Sequence, residues 1–304
     1  MNRALARQGQ KPLKTFRESV QKTVFTLTAE LALNRASTAE EVIQQAMLLA
    51  GSVDAIQVTD NPDGRVHMSP LAVASLLLNR GIDPVPLLSC RDRNRIALES
   101  ELLGMAGVGV SSVLLMRGEK LLDDHQPSAK PVFDLTGIEL IKMARRLGDY
   151  EENPKPADLF IGALATVFNP KPKWRPRRMP AKATAGAQFI QTRLCFDMQA
   201  LSRYMARLVE HKQTWQFSIM VGIAPLPSAV SARWLRDNLR GTLMPEETIK
   251  RLEQARDPEQ EGVRICAELL QQLAEIPGVS GASLMTPGEP STIPAAISAA
   301  ALSS

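Results

Sequence analysis

Short β-branched apolar runs alternate with longer helical patterns eight times along the chain, and few folds satisfy that rhythm. The candidate strands are 23–31, 55–60, 84–90, 112–118, 158–166, 189–195, 218–226 and 281–286. Helix-like stretches lie between them at 39–50, 70–79, 95–106, 136–147, 179–185 and 198–212, with a long one at 246–276. Strands that alternate with helices pair in parallel through right-handed crossovers. Eight such units in this length predict an α/β fold, a single (β/α)8 TIM barrel. A doubly wound sheet is the competing architecture, but no G-x-G-x-x-G follows a strand, and Gly107-Val108-Gly109 precedes one. The expected organisation is a basic N-terminal arm (1–22), a barrel (23–286) and a flexible, low-complexity Pro/Ala/Ser tail (287–304).

Local signals support the helices. Ser69 followed by Pro70 reads as an N-cap with proline at the first helical position. Ser37 and Glu40 have capping-box spacing, and Asp197 is placed to cap the amphipathic stretch after it. Gly51, Gly81, Gly107 and Gly186 follow helices, where left-handed stops are expected.

Charge is concentrated. Residues 1–22 hold six basic residues and one acid, and 169–182 (NPKPKWRPRRMPAK) holds six basic residues and none. The remaining body has 24 basic and 31 acidic residues, so the net +4 reflects two patches. With only 4% aromatic residues there is no stacking platform for nucleic acid. An anionic small molecule or a partner protein suits such a patch better. No run reaches the length of a membrane span, and the basic N-terminus lacks the apolar stretch of a secretory signal. Three widely spaced cysteines (Cys90, Cys195, Cys266) argue against a disulfide framework or zinc cluster and for a reducing cytoplasm. The histidines His67, His125 and His211 are too scattered for a metal site.

Barrel chemistry is expected at the C-terminal strand ends. These carry Glu30, Thr59-Asp60, Ser89, Arg117-Gly118-Glu119, Asn169, Thr192-Arg193 and, just beyond, Asp197. Glu30 stands in FTLTAELAL, where burial would raise its pKa and suit it to general acid work. A surface glutamate at a strand end is the plain alternative. Glu119 ends VLLMRGE, and two carboxylates on the first and fourth strands would face each other across the mouth, one ionised and one proton-donating. An ordinary turn with a local ion pair is the alternative there.

The segments LLSCRDRNRIALESELLGMAGVGVSSVLLMRGE, AGAQFIQTRLCFD and VGIAPL, in this order and spacing, resemble the methylenetetrahydrofolate reductase family over about 23–286. The resemblance implies a flavin (FAD) barrel that interconverts 5,10-methylenetetrahydrofolate and 5-methyltetrahydrofolate with NADH or NADPH as reductant. It implies that Glu30 is the acid that opens the methylene bridge, and that Glu119 contacts the pterin near the flavin. Thr192, Arg193 and Asp197 would join Glu30 and Glu119 in holding substrate. Thr59, Asp60, Ser89, Arg117, Gly118, Glu119, Asn169 and Lys182 would line the cofactor. Arg193 replaces the family's usual amide, and Asn169-Pro170-Lys171 replaces a His-Pro-Glu element. The alternative function is a folate-binding or methyl-transferring barrel, or a subunit of a redox complex, without flavin chemistry. The two basic patches suit a redox partner protein, and a homo-oligomer is the other expected assembly.

Overall fold

The computed structural model describes residues 13–121, 128–147 and 158–302. Eight parallel strands close into a barrel in chain order. They are β1 (Thr26–Glu30), β2 (Ala55–Val58), β3 (Pro84–Ser89), β4 (Ser112–Met116), β5 (Phe160–Ala165), β6 (Phe189–Leu194), β7 (Ser218–Ile223) and β8 (Gly281–Leu284). β1 closes the ring on β8, with Thr26 opposite Gly281 and Ala29 opposite Leu284. Each strand lies inside an expected one. The apolar runs are nearly continuous because parallel strands in a barrel are covered on both faces.

The helices are α1 (Phe16–Lys22), α2 (Ala39–Ala50), α3 (Pro70–Leu78), α4 (Arg95–Val108), α5 (Gly137–Arg146), α6 (Arg178–Ala185), α7 (Met198–Glu210), α8 (Ala229–Asn238), α9 (Glu246–Gln254), α10 (Pro258–Glu275) and α11 (Thr292–Ala300). Four differ from expectation. The long stretch 246–276 is two helices: Ala255 turns extended, and Asp257 caps a new helix that starts at Pro258. A proline lacks the N–H that would continue the first helix and is suited to starting the second. The unexpected α8 has Ser228 as N-cap and buries Ala229, Ala232 and Leu235, a face of mostly small residues that hides its period. The expected mobile tail, 287–304, contains α11, which buries Ile293, Ala296 and Ala300 at helical spacing and accepts a bond from Gln271 Nε2 at the Ala300 carbonyl (3.0 Å). Its alanines are a packing face, not low-complexity spacer.

The expected basic arm, 1–22, likewise ends in structure. Residues 1–12 lie outside the described residues, but α1 is capped by a Thr15–Glu18 box and plugs the N-terminal end of the barrel. Phe16 is fully buried, edge-on to Phe189 (5.1 Å) and near Phe160 (5.9 Å). Its N–H donates to Asp83 Oδ2 (2.7 Å), and Arg17 pairs with Asp158 across the barrel floor. Capping details also shift. The α2 box is Thr38–Glu41, one residue later than expected, because the Ser37 hydroxyl accepts from the Asn34 N–H. Gly81 and Gly186 take left-handed backbone as expected; Gly51 stays right-handed, and α4 runs through Gly107 to stop at Gly109.

Burial pushes the Asp83 carboxyl up to about 6, the bonds from Phe16 and Ser111 only partly opposing it. A carboxyl whose folded pKa lies above its unfolded value stabilises the fold fully below about pH 4, and that contribution is lost as pH rises through 6. Asp83→Asn is therefore expected to gain stability over the parent progressively between pH 4 and 6, by on the order of 2 kcal/mol above it. Urea midpoints of both proteins across that range check this; a pH-independent difference would contradict it.

A polar waist crosses the barrel interior. Gln57 and Gln191 exchange amide bonds (2.5 and 3.1 Å), and Ser283 Oγ donates to Gln57 Oε1 (3.1 Å). These buried amides satisfy one another, and they separate the aromatic floor from the mouth. Among the described residues no helix is long and apolar enough to cross a membrane.

Candidate functional site

The C-terminal ends of the strands surround a cavity of about 120 Å³ above the polar waist. Glu30 and Glu119 both line it, with Arg193 between them in charge if not in chain order. Glu30 ends β1, its main-chain carbonyl held by the Thr286 hydroxyl (2.5 Å). Burial pushes its carboxyl up to about 7, against the opposing pull of Arg193. Desolvation disfavours the charged form, so this acid holds its proton up to neutrality. Glu119 instead forms an ion pair with the Arg193 guanidinium. One fold thus keeps two carboxyl groups in different electrostatic settings around one opening, the arrangement that separates acid from anion.

Arg193 owes its position to an irregular strand. The β6–β7 register shifts between Gln191 and Leu194. Thr192 Oγ1 accepts the Gly222 N–H (3.0 Å) and donates to the Arg193 carbonyl (2.8 Å), which fixes the bulge. Bulges beside active sites re-aim side chains in this way. A Cβ at Gly222 would stand 2.7 Å from the Thr192 carbonyl oxygen, so only glycine lets β7 approach the bulge.

The other expected site residues separate into groups. Thr59 lines the cavity and bonds His67 Nε2 (3.1 Å), while His67 Nδ1 meets the Met68 carbonyl (2.7 Å). Asp60 faces the cavity wall, but its oxygens are taken by Arg93 (2.9 and 3.1 Å) and the Ser89 N–H (2.8 Å). Expected at the cofactor, Asp60 is a strut that ties β2 to β3. The Ser89 hydroxyl lines the cavity with no partner among the described residues. Gly118 adopts φ +86, and a Cβ there would meet Arg91 Cβ at 2.9 Å. Thr192, expected at substrate, also touches the cavity, with its hydroxyl committed to the bulge. Asp197, expected at substrate, stands outside the cavity and caps α7 through Ala200 N (2.8 Å). Asn169, expected at cofactor, points away to Arg203 of α7 (2.9 Å). Both lie past the strand ends, where the chain has already turned outward.

Beside the mouth runs a groove of about 1110 Å³ that shares Met116, Gly118, Glu119, Leu164 and Arg193 with the cavity. The loop after β5 forms its outer wall with Lys173, Arg175 and Arg177; Arg178 and Lys182 of α6 line it too, and Arg117 and Arg193 face it from the strand ends. Arg117 stacks on Phe133 (4.5 Å), and Lys182 donates to the Leu164 carbonyl. Burial and the nearby Arg178 hold the Lys182 amine below its ordinary pKa. Trp174 is the anchor that sequence reasoning overlooked. It sits inside the basic run yet turns inward, stacked on Tyr204 (5.4 Å) and edge-on to Phe168 (5.1 Å). Its position between Lys173 and Arg175 was the available signal. Arg93 and Asp63 were also missed; Arg93 sits in the CRDRNR run that follows β3.

Seven cationic side chains along one extended groove are a donor set for a diphosphate or a chain of carboxylates. The groove therefore fits the FAD that the family resemblance implies. The cysteines do not contribute: all three are free and buried, and burial pushes the Cys90 thiol up to about 11 and Cys195 to about 12. Among the described residues no cluster of His, Cys, Asp or Glu could hold a metal ion.

A sequence model of the family described as methylenetetrahydrofolate reductase matches residues 15–297. No curated protein matches the chain by sequence. Among solved structures, the chain is similar to an uncharacterized Clostridium thermocellum protein that binds two copies of 5-methyl-5,6,7,8-tetrahydrofolic acid. The TM-score is 0.61 at 13% identity, covering 93% of this chain and 97% of that one. A Yersinia pestis DHPS with a pterine-sulfa conjugate is more distant, at TM-score 0.48 and 11% identity over 92% and 95% of the two chains.

Proposed function

Because the chain belongs to the methylenetetrahydrofolate reductase family, we propose that it binds a reduced folate at the barrel mouth and interconverts its methylene and methyl forms with NAD(P)H. The observation that carries this reading is the pair of carboxyl groups around one cavity, Glu30 protonated up to about pH 7 and Glu119 ion-paired. A pterin presents an amino group and a ring N–H on one edge, and a carboxylate can accept both. Glu119 would orient it. The methylene group of the substrate bridges two nitrogens. Protonation of one by Glu30 releases it as an amine, the C–N bond breaks, and the carbon is left as an iminium ready for hydride.

FAD, when bound, would relay hydride between NAD(P)H and that carbon. Arg117, Lys182 and the cations of the loop after β5 would hold its diphosphate. A folate-binding role without flavin is the second reading, favoured by Asn169-Pro170-Lys171 in place of the family's His-Pro-Glu element, with Asn169 turned away to Arg203. The absorbance spectrum of the purified protein, before and after FAD is added, separates the two. A flavin spectrum with NAD(P)H-dependent bleaching and folate-dependent recovery is the expected result. A colourless protein that binds folate but consumes no NAD(P)H would remove the redox reading. The cytoplasm is the proposed setting, since all three thiols are free.

Charge in the groove gives a further expectation. Arg175→Glu with Arg178→Glu should weaken binding of the anionic cofactor at least tenfold and flatten its salt dependence, since phosphate contacts of this kind are ionic. Flavin fluorescence titrations at two ionic strengths measure both. Unchanged affinity would move the diphosphate out of the groove.

A further inference from the structure

Among the described residues, Arg193 engages both carboxyl groups. It is ion-paired with Glu119, and its charge acts on Glu30. Among the described residues, the other charged groups that line the cavity have counter-charges of their own. Asp60 is paired with Arg93, and Arg91 with Asp92. Asp63, on the β2–α3 loop, faces Arg91. The neighbours of Glu30 on β2 and β8 are uncharged: Gln57 in register beside it, Ser283 and Met285 at the cavity, and Thr286 on its carbonyl. Whatever happens to the Arg193–Glu119 pair is therefore felt at Glu30.

The guanidinium holds Glu119 through Oε1, so a ligand that donates N–H groups to both Glu119 oxygens competes with it there. The bulge holds the Arg193 main chain still: Thr192 bonds it from one side, and Gly222 leaves no room for it to withdraw. Only the side chain can turn, and Glu30 is the remaining acidic group it faces across the cavity.

We propose that Arg193 is a positioning residue that couples occupancy of Glu119 to proton transfer from Glu30: spent on Glu119 in the empty site, its charge is turned onto Glu30 when a ligand takes Glu119. This deepens the folate reading and rests on it for the identity of the ligand. In the reaction, the Glu30 carboxyl gives its proton to the departing nitrogen, the C–N bond electrons become the amine lone pair that accepts it, and the substrate carbon is left cationic. Glu30 becomes a carboxylate beside Arg193. The step needs no reagent beyond substrate, and the guanidinium stabilises the anion it creates.

The coupling can be tested without folate. With 13C-labelled glutamate carboxyls, the Glu30 resonance is assigned by its loss in Glu30→Gln, and its titration midpoint is followed by NMR. Parent protein should titrate near 7. Glu119→Gln, which frees Arg193, should lower the midpoint by about one unit, and Arg193→Gln should raise it. Arg193→Lys, which keeps the charge on a more mobile stem, should fall between Arg193→Gln and the parent. In the Arg193→Gln background, Glu119→Gln should have little further effect. An equal shift there would mean that Glu119 acts on Glu30 directly, and an unchanged midpoint in Glu119→Gln would mean no coupling; either result overturns the proposal. The ligand arm uses calorimetry of 5-methyltetrahydrofolate binding at pH 7 in buffers of different ionisation enthalpy. Parent protein should release about half a proton, as expected for a group titrating near 7 that is driven to its charged form; Arg193→Gln should release none. Titration shifts as described with no folate binding would leave the coupling standing and remove the pterin reading. Equal proton release by both proteins would overturn the coupling while leaving the pterin reading intact.

Discussion

Glu30→Gln is expected to abolish folate turnover, by roughly 10²–10⁴-fold in kcat, the range a positioned general acid supplies. Reduction of bound flavin by NAD(P)H should persist at close to the parent rate, because that half of the reaction needs no proton from β1. Stopped-flow bleaching and folate-dependent reoxidation, measured separately, test the split. Loss of both halves would mean that the substitution damaged the mouth as a whole, and normal reoxidation would remove Glu30 from the chemistry. The pH profile of the parent carries the same signature. The carboxyl of the free protein holds its proton below about 7, so kcat/KM for folate should fall about tenfold per pH unit above that value, with the break in kcat displaced to lower pH if Arg193 turns onto Glu30 in the complex. Flavin reduction should not follow the same curve.

Arg93→Ala is expected to be the most destabilising single change near the mouth. Asp60 has no exposed side-chain surface, and Arg93 supplies most of its compensation, through both guanidinium nitrogens. Removing one partner leaves an uncompensated buried charge, at a cost of about 3–5 kcal/mol. Denaturant unfolding measures it. The pair Arg93→Met with Asp60→Leu should recover much of the loss, since an apolar replacement of both partners removes the orphaned charge. If the double variant were no better than Arg93→Ala, the loss would lie in packing around the arginine stem.

The barrel was legible because each parallel strand is buried on both faces, so each appears as a continuous apolar run. Glu30 was legible for the same reason, as an acid where such a run allows none without cause. Arg193 was visible only as a cation in place of an amide. Its partnership with Glu119 depends on a bulge made by Thr192 and Gly222, and nothing in the local pattern TRLCF announces an irregular register. Asp60 looked like a free strand-end acid because its partner lies 33 residues further on. Asp197 had both readings open in the sequence, and the cap prevailed because the chain leaves the mouth before reaching it. α8 and α11 escaped notice because faces made largely of alanine give little amphipathic contrast.

The seat of Phe16 has a bearing on how the molecule assembles. Its ring rests on Phe160 and Phe189, its amide on Asp83, and the next residue on Asp158. No such seat exists until β5 and β6 stand side by side and the chain entering β3 has joined them through β4. Helix α1, though it lies early in the chain, can therefore lock only once some 170 later residues have found their places. Its docking depends on long-range pairing and cannot come before it.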